Sequence, residues 1–326
     1  MKKILSVVLA LVLTLSLTTF VACQPQADVS IGILQVAEHS ALDDAREGFK
    51  SVVQAWADEN GKSIFFDEKN ANGDPNNEET LAQSLAHSGH DLLLGIATSS
   101  AQKLYGNTED VPILYTAVTN PAVDLGGLGT IQGVSDMNPV AQQIQLVKTI
   151  VETLHPEKET IKLAFVYNSS EGNSQKQVQL AKAECERLGG FETVDVTATD
   201  SNTIATALSG SEMVGADCIY VPTDNLMAAN MNIIYAHATP NQIPVVCGEA
   251  GMCEDGEGLV TFGIDYYKLG QQVGEMAVQI LSGETVENLN QFYEKECEFF
   301  INEQNALALG MTSTQIEEIQ DAFSGE

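Results

Sequence analysis

Four clusters of hydroxyl, amide and carboxylate side chains each follow a short apolar run in this sequence. They are Thr98-Ser99-Ser100, Thr116 to Asn120, Asn168 to Asn173, and Thr223-Asp224-Asn225. Two kinds of chemistry suit them. An anion is taken up where hydroxyls and free N–H groups meet at a helix N-terminus, because the helix dipole favours negative charge there. Thr98, Ser99 and Ser100 fit that need, with simple helix capping as the plainer role, and Thr116 and Thr119 are second candidates. A cation needs a carboxylate, since burying it unpaired costs several kcal/mol. Asp224 is the first choice, opening a helix at Asn225, although aspartate there also serves as a plain N-cap. Glu38 and Glu249, each just after an apolar run, are the alternatives, and either fits a solvent-facing role equally well. Asn168, Ser169, Ser170 and Asn173 form a polar clasp with Thr223 and Asn225, while Asp265 suits a ligand contact, a hinge residue or a cap. Tyr115, Tyr167, Phe262, Tyr266 and Tyr267 fall near strand ends and offer stacking faces, or are simply packed.

Catalytic signatures are missing. The chain has no G-x-S-x-G elbow, no H-E-x-x-H, no P-loop and no G-x-G-x-x-G after a strand, so no enzymatic activity and no cofactor are expected. Two metal-like patterns weigh little. Glu68 to Glu79 imitates a calcium loop through Asn70, Asn72, Gly73 and Glu79. It nevertheless places glutamate first and Pro75 eighth, between a strand and a helix. His87-x-x-His90 with Asp91 would need a helix that Gly89 ends. No metal site is expected.

The elements that must position these residues alternate. Strands are predicted at Val29 to Gln35, Ser63 to Asp67, Leu92 to Ile96, Pro112 to Thr116, Ile161 to Tyr167, Phe191 to Val196, Cys218 to Val221, Ile243 to Val246, Leu259 to Phe262 and Cys297 to Ile301. Between them run amphipathic patterns such as Leu42, Ala45, Phe49, Val52, Val53 and Trp56. Such βαβ alternation predicts α/β lobes with doubly wound parallel sheets. Ser40 with Asp43 reads as a capping box, and Asp74-Pro75 and Asn138-Pro139 each read as a cap followed by proline at the first helical position. The chain is expected to cross between two lobes three times, near Gly133 to Asn138, Gly263 to Asp265 and Asn290 to Glu296. Three crossings make a hinge, because all must bend together.

Residues 1–22 carry Lys2 and Lys3, an apolar and hydroxyl run from Ile4 to Val21, and Ala22 before Cys23. That order predicts a lipoprotein signal, with Cys23 as the lipidation site, an uncleaved single-span anchor being the alternative. Cleavage would leave 304 of the 326 residues, enough for two lobes of about 150 residues. Loss of Lys2 and Lys3 takes the formal charge from −30 to −32, which repels phosphate backbones and argues against nucleic-acid partners. Five further cysteines without C-x-x-C spacing suggest buried thiols, with a Cys247–Cys253 disulfide as the alternative.

Eight segments carry a resemblance that spans the mature chain: IGILQVAEHSALDDAREGF (31–49), NANGD (70–74), LLLGIATSSAQ (92–102), VPILYTAVTNP (111–121), GVSD (133–136), VYNSSEGNS (166–174), YVPTDN (220–225) and FGIDYYKLGQQ (262–272). In their order and spacing the chain resembles the ABC-transporter substrate-binding family whose characterised members bind tryptophan and related aromatic amino acids. The resemblance implies a type I periplasmic-binding-protein fold. A 23–28 tether would be followed by lobe 1 at 29–136 plus 264–292 and lobe 2 at 137–263 plus 293–326. It also implies an amino acid held between the lobes, an ABC permease and its ATPase as partners, a monomer, and lipid anchoring outside the cell membrane or in the periplasm. A nucleoside or branched-chain amino acid, or a receptor role toward a membrane sensor, are the alternatives.

Overall fold

The computed structural model describes residues 27–108, 110–126, 131–254, 258–289 and 297–323. The predicted leader with Cys23, most of the tether, and the third crossing at 290–296 lie outside the described residues.

Two sheets divide the chain. The first holds β1 (Val29–Gln35), β2 (Ile64–Asn70), β3 (Leu92–Ile96), β4 (Ile113–Thr116) and β5 (Ile131–Gly133), in the order β2-β1-β3-β4-β5, all parallel. The second holds β6 (Ile161–Tyr167), β7 (Phe191–Thr197), β8 (Cys218–Val221), β9 (Val245–Cys247), β10 (Val260–Ile264) and β11 (Cys297–Ile301), in the order β11-β10-β9-β8-β6-β7. The predicted doubly wound parallel sheets are present, with one edge pair, β10 and β11, running antiparallel. β5 is also an addition. Its three residues sit in a glycine-rich stretch with too little apolar pattern to announce a strand.

Central strands β3, β4 and β8 are buried on both faces because helices cover both sides, which explains their continuous apolar runs. In this arrangement the C-terminal ends of the strands open onto loops at the switch of strand order, the place where α/β sheets bind ligands.

Helix 40–59 turns Leu42, Ala45, Phe49 and Val53 into the first lobe's core. Each of the larger side chains among these, Leu42, Phe49 and Val53, stabilises by about 1.5–3 kcal/mol when fully buried. Helix 266–281 follows β10 of the second sheet, yet packs Leu269, Val273 and Ala277 into the same first-lobe core. The two helices touch closely: a Cβ on Gly48 would stand 2.1 Å from the Tyr267 carbonyl oxygen, and one on Gly270 2.1 Å from that of Ala45. The chain therefore passes from second sheet to first lobe at 264–266. It passes the other way between β5 and helix 140–154, whose Ile144, Val147 and Val151 join the second lobe's core. Helices 303–308 and 313–323 close that core through Ala306, Ile316 and Ile319.

Capping is mixed. Asp74 caps helix 75–86 as predicted, accepting from the Asn76 and Asn77 N–H groups with Pro75 behind it. The Ser40–Asp43 box does not form. His39 occupies the N-cap, and Asp43 instead accepts from Gln35 Nε2 and Arg46 Nη1. Asn138 does not cap either: the helix begins at Val140, and the Asn138 amide is used elsewhere, as shown below.

Cys185, Cys218 and Cys247 are buried free thiols, so the alternative Cys247–Cys253 disulfide is not formed. Burial pushes the Cys185 thiol up to about 12 and the Cys218 thiol higher still, which leaves both unreactive near neutral pH. Among the described residues no helix is long and apolar enough to cross a membrane.

Candidate ligand-binding site

The loops beyond β1, β2 and β3 face those beyond β6, β7 and β8 across a cleft of about 680 Å³. Lobe 1 contributes Val36, Glu38, Asn72, Glu78, Thr98 and Ser99, and lobe 2 contributes Asn168, Ser170, Glu171, Asn173, Asn225 and Leu226. That volume lies within the range of small-molecule pockets.

The lobe 1 wall is built on strained backbone. β3 ends at Ile96, and Ala97 then adopts φ 79°, ψ 161° before helix 98–107 begins. A non-glycine residue there costs about 1–3 kcal/mol, and such residues cluster at ligand clamps. Ala97 is also the helix N-cap and brings no side-chain oxygen to the first-turn N–H groups. Thr98 is 7% exposed, lines the cleft, and its Oγ1 is buried without a partner. The Thr116 Oγ1, at the end of the adjoining β4, is likewise buried and unpartnered, and Ala117 beyond it has φ 56°. The unmet Thr98 hydroxyl beside an uncapped helix N-terminus suits a carboxylate, with Thr116 one layer behind it. Ser99 and Ser100, by contrast, both donate to Glu78, at 2.5 and 2.8 Å.

On the lobe 2 wall the acidic groups are largely occupied. Asp224 is buried, and its carboxylate accepts from the Asn168 N–H at 2.6 Å, Ser174 Oγ at 2.7 Å and the Met227 N–H at 2.9 Å. Burial, helped by the nearby Glu171 carboxylate, raises its pKa well above the ordinary carboxylate range. It serves as N-cap and loop anchor beneath the cleft. Glu171 reaches the cleft itself, held by the Asn225 and Leu226 N–H groups and by the side-chain amides of Asn225, Asn168 and Asn173.

Of the predicted residues, Glu38, Thr98, Ser99, Asn168, Ser170, Asn173 and Asn225 line the cleft together. Ser100, Thr116, Thr119, Thr223 and Asp224 are buried behind its walls. Ser169 is exposed, with its carbonyl accepting from Gln175 Nε2. Glu249 faces Glu38, His39 and Ser40 across an adjoining space of about 300 Å³. Asp265 caps helix 266–281 through the Lys268 N–H and lies beside the Lys268 ammonium. None of the five proposed aromatic faces lines the cleft. Tyr115 sits in the lobe 1 core, Tyr167 packs against the lobe 2 core, Phe262 lies against Phe323, Tyr266 is buried and Tyr267 is 40% exposed. The cleft's apolar wall is Val36, Ala37, Pro75, Leu226 and Ala229.

The lobes touch on either side of this cleft. At the crossing segments Asn138 of lobe 2 accepts from the Ile264 N–H of lobe 1; within lobe 2 it also donates to Thr223 Oγ1 at 2.9 Å, and within lobe 1 Asp136 accepts from Thr119 Oγ1 and from the Tyr266 hydroxyl, each at 2.8 Å. Burial beside Asp136 holds the Tyr266 phenol far above its ordinary pKa. Gln177 of lobe 2 donates to Thr119 of lobe 1 at 3.4 Å. At the rim, His39 Nε2 lies 3.4 Å from Asn225 Oδ1, and Gly251 of lobe 2 abuts Ser40 of lobe 1.

Sequence reasoning did not single out Glu78, Glu171, His39, Asp136 or Gln177. Glu171 and Asp136 stand inside two of the segments that carry the resemblance. Glu78 stands in the stretch that imitates a calcium loop, next to Glu79, which pairs with Lys103 at 2.9 Å. Among the described residues no group of His, Cys, Asp and Glu is placed to hold a metal ion. His87 instead meets the Gln83 carbonyl and His90 meets Ser30.

Two α/β lobes joined by a crossing chain and shut over a polar cleft describe a solute-binding protein. Residues 30–320 match the family described as ABC transporter substrate binding protein, and the chain belongs to that family. It is 33% identical to the tyrosine-binding protein of Clostridioides difficile (strain R20291), over 100% of this chain and 97% of that one. It is similar to a Streptococcus pneumonia domain solved in complex with L-Trp: TM-score 0.79, 30% identity, 89% of this chain and 98% of that one. It also resembles the ligand-free, open structure of a Clostridium difficile substrate-binding protein with adhesive properties: TM-score 0.63, 36% identity, 87% of this chain and 96% of that one. Superposition is better on the tryptophan complex than on the open structure, although identity runs the other way. That ordering fits the lobe-to-lobe contacts at Asn138, Gln177, His39 and Gly251.

Proposed function

We propose that this chain is an extracytoplasmic lipoprotein that captures a free aromatic amino acid, L-tyrosine or L-tryptophan, and delivers it to an ABC permease driven by its ATPase. The observation that carries the reading is the lobe 1 wall. There the unpartnered Thr98 hydroxyl lines the cleft beside the uncapped first turn of helix 98–107, an arrangement suited to an anion the size of an α-carboxylate. The aromatic side chain is assigned from the relatives named for tyrosine and solved with tryptophan, and it would lie against Val36, Ala37, Leu226 and Ala229.

The lobes, at 29–136 with 264–292 and 137–263 with 293–326, close because the solute binds the shut state better than the open one. Groups from both walls bind it without transforming it. Acylation of Cys23 holds the chain, as a monomer, at the membrane surface where the permease lies.

The test is a thermal-shift screen of the full chain against the twenty amino acids and the common nucleosides. At 100 times its dissociation constant a ligand adds about 2.7 kcal/mol. For lobes of this size that is a rise of roughly 5–10 °C. Tyrosine or tryptophan should give the largest shift. No shift from any aromatic amino acid would refute the assignment, and a nucleoside shift would replace it.

A further inference from the structure

The α-ammonium of a bound amino acid needs an anion in the cleft, and four carboxylates line it: Glu38, Glu78, Glu171 and Asp200. Their surroundings separate them. Glu38 is exposed, and its charge is solvated already. Asp200 is exposed and caps helix 201–208 through the Asn202 N–H. Glu171 accepts five hydrogen bonds, at least as many as a carboxylate's roughly four lone-pair sites accommodate. Glu78 is different. It is 1% exposed and, among the described residues, accepts only two hydroxyls, those of Ser99 and Ser100, one on each oxygen.

Half of its acceptor capacity is thus open, and among the described residues it has no ion-pair partner. Lys103, on the same helix as Ser99 and Ser100, is turned to Glu79. Among the described residues, no lysine, arginine or histidine lines the cleft. A carboxylate buried this deeply without a cation is costly unless a cation arrives. Its neighbour Ser99 adjoins Thr98, whose unpartnered hydroxyl was assigned above to an anion. The two needs therefore stand one residue apart, as the ammonium and carboxylate of an amino acid stand on one α-carbon.

We propose that Glu78 is the specificity-determining anion of this cleft, taking the α-ammonium while Thr98 and the first turn of helix 98–107 take the α-carboxylate. Ser99 and Ser100 are positioning residues that hold the Glu78 oxygens toward the cleft. The inference rests on the amino-acid reading above and deepens it. The protein selects zwitterionic amino acids over acids of the same shape that lack the amino group, and it does so from lobe 1 and not through Asp224.

The test is calorimetry on the full chain with L-tyrosine and with 3-(4-hydroxyphenyl)propionate, which keeps the ring and carboxylate and lacks the ammonium. The wild type should prefer tyrosine by about 30-fold or more, as expected for a desolvated charge pair. Glu78→Gln should lose about that factor for tyrosine and less than about 3-fold for the propionate. Glu78→Asp, which keeps the charge, should recover part of the preference. Equal losses for both compounds, or none for tyrosine, would overturn the assignment while leaving the amino-acid reading intact. Should Glu78→Gln fail to fold, equal wild-type affinity for the two compounds would overturn it alone. A wild type that binds no free amino acid removes the amino-acid reading itself, and this inference falls with it.

Discussion

Gly251 offers a way to separate lobe closure from folding. It opens the short helix 251–254 of lobe 2 and faces the start of helix 40–59 in lobe 1. A Cβ at this position would stand 2.1 Å from Ser40 Oγ, 2.9 Å from Glu249 Oε2 and 3.1 Å from the Ala41 backbone nitrogen. The Ser40 hydroxyl can rotate aside, whereas the Ala41 nitrogen cannot move without its helix. Gly251→Ala should therefore be mild, and Gly251→Val, with two more methyl groups at the same contact, should carry an overpacking cost of about 1–3 kcal/mol. The contacts with Ser40 and Ala41 are relieved when the lobes swing apart, so they act on the closed state alone and raise the tyrosine dissociation constant roughly 5- to 150-fold. Calorimetric titration with L-tyrosine measures that factor, and melting without ligand supplies the control. The melting temperature should stay within about 2 °C of wild type, because the one contact that opening leaves, with Glu249 Oε2, is with the end of a flexible side chain that can shift. Unchanged affinity for Gly251→Val would refute the reasoning, and so would a ligand-free melting temperature that falls in proportion to the lost affinity.

Thr98→Val replaces an unmet buried hydroxyl by a methyl group. It should leave the ligand-free chain as stable or slightly more stable, yet weaken tyrosine binding by about 1–3 kcal/mol; paired melting and calorimetry would show the opposite signs. His39 is held between the lobes, where burial lowers its pKa below the ordinary 6.5 against the opposing pull of Glu171 and Asp43. Its neutral form thus belongs to the closed state, and the contribution to closure is complete above about 6.5 and is lost as pH falls through the lowered value. Tyrosine affinity should therefore decline from pH 7.5 to pH 5, and His39→Gln should flatten that profile in calorimetry run across the range. Cys23→Ala should move the protein from the membrane to the soluble fraction, and fractionation that finds it still membrane-bound would contradict lipid anchoring.

Strands announced themselves where apolar runs were long enough to be covered on both faces. The limits expected for β1, β3, β6, β8 and β11 are those observed, whereas three-residue β5 left no pattern to read. Capping chemistry was legible at Asp74, where proline fixes the first helical residue. It misled at Asn138, whose amide bridges to Thr223 across 85 residues of sequence. The same distinction governs the site. Hydroxyls just beyond β3 and the amides beyond β6 could be placed by counting from strand ends, and Thr98, Asn168 and Asn173 do face one cleft. Which carboxylate keeps free acceptor sites could not be counted that way. Asp224 and Glu78 look alike in sequence, and only their neighbours, three donors in one case and two hydroxyls in the other, tell them apart.

A crystal structure of the protein grown with L-tyrosine tests the central claim most directly. The amino acid should lie between the two lobes with its carboxylate within hydrogen-bonding distance of Thr98 Oγ1 and the first-turn N–H groups of helix 98–107. Tyrosine bound outside this cleft, or bound within it with the carboxylate turned away from Thr98, would contradict the account.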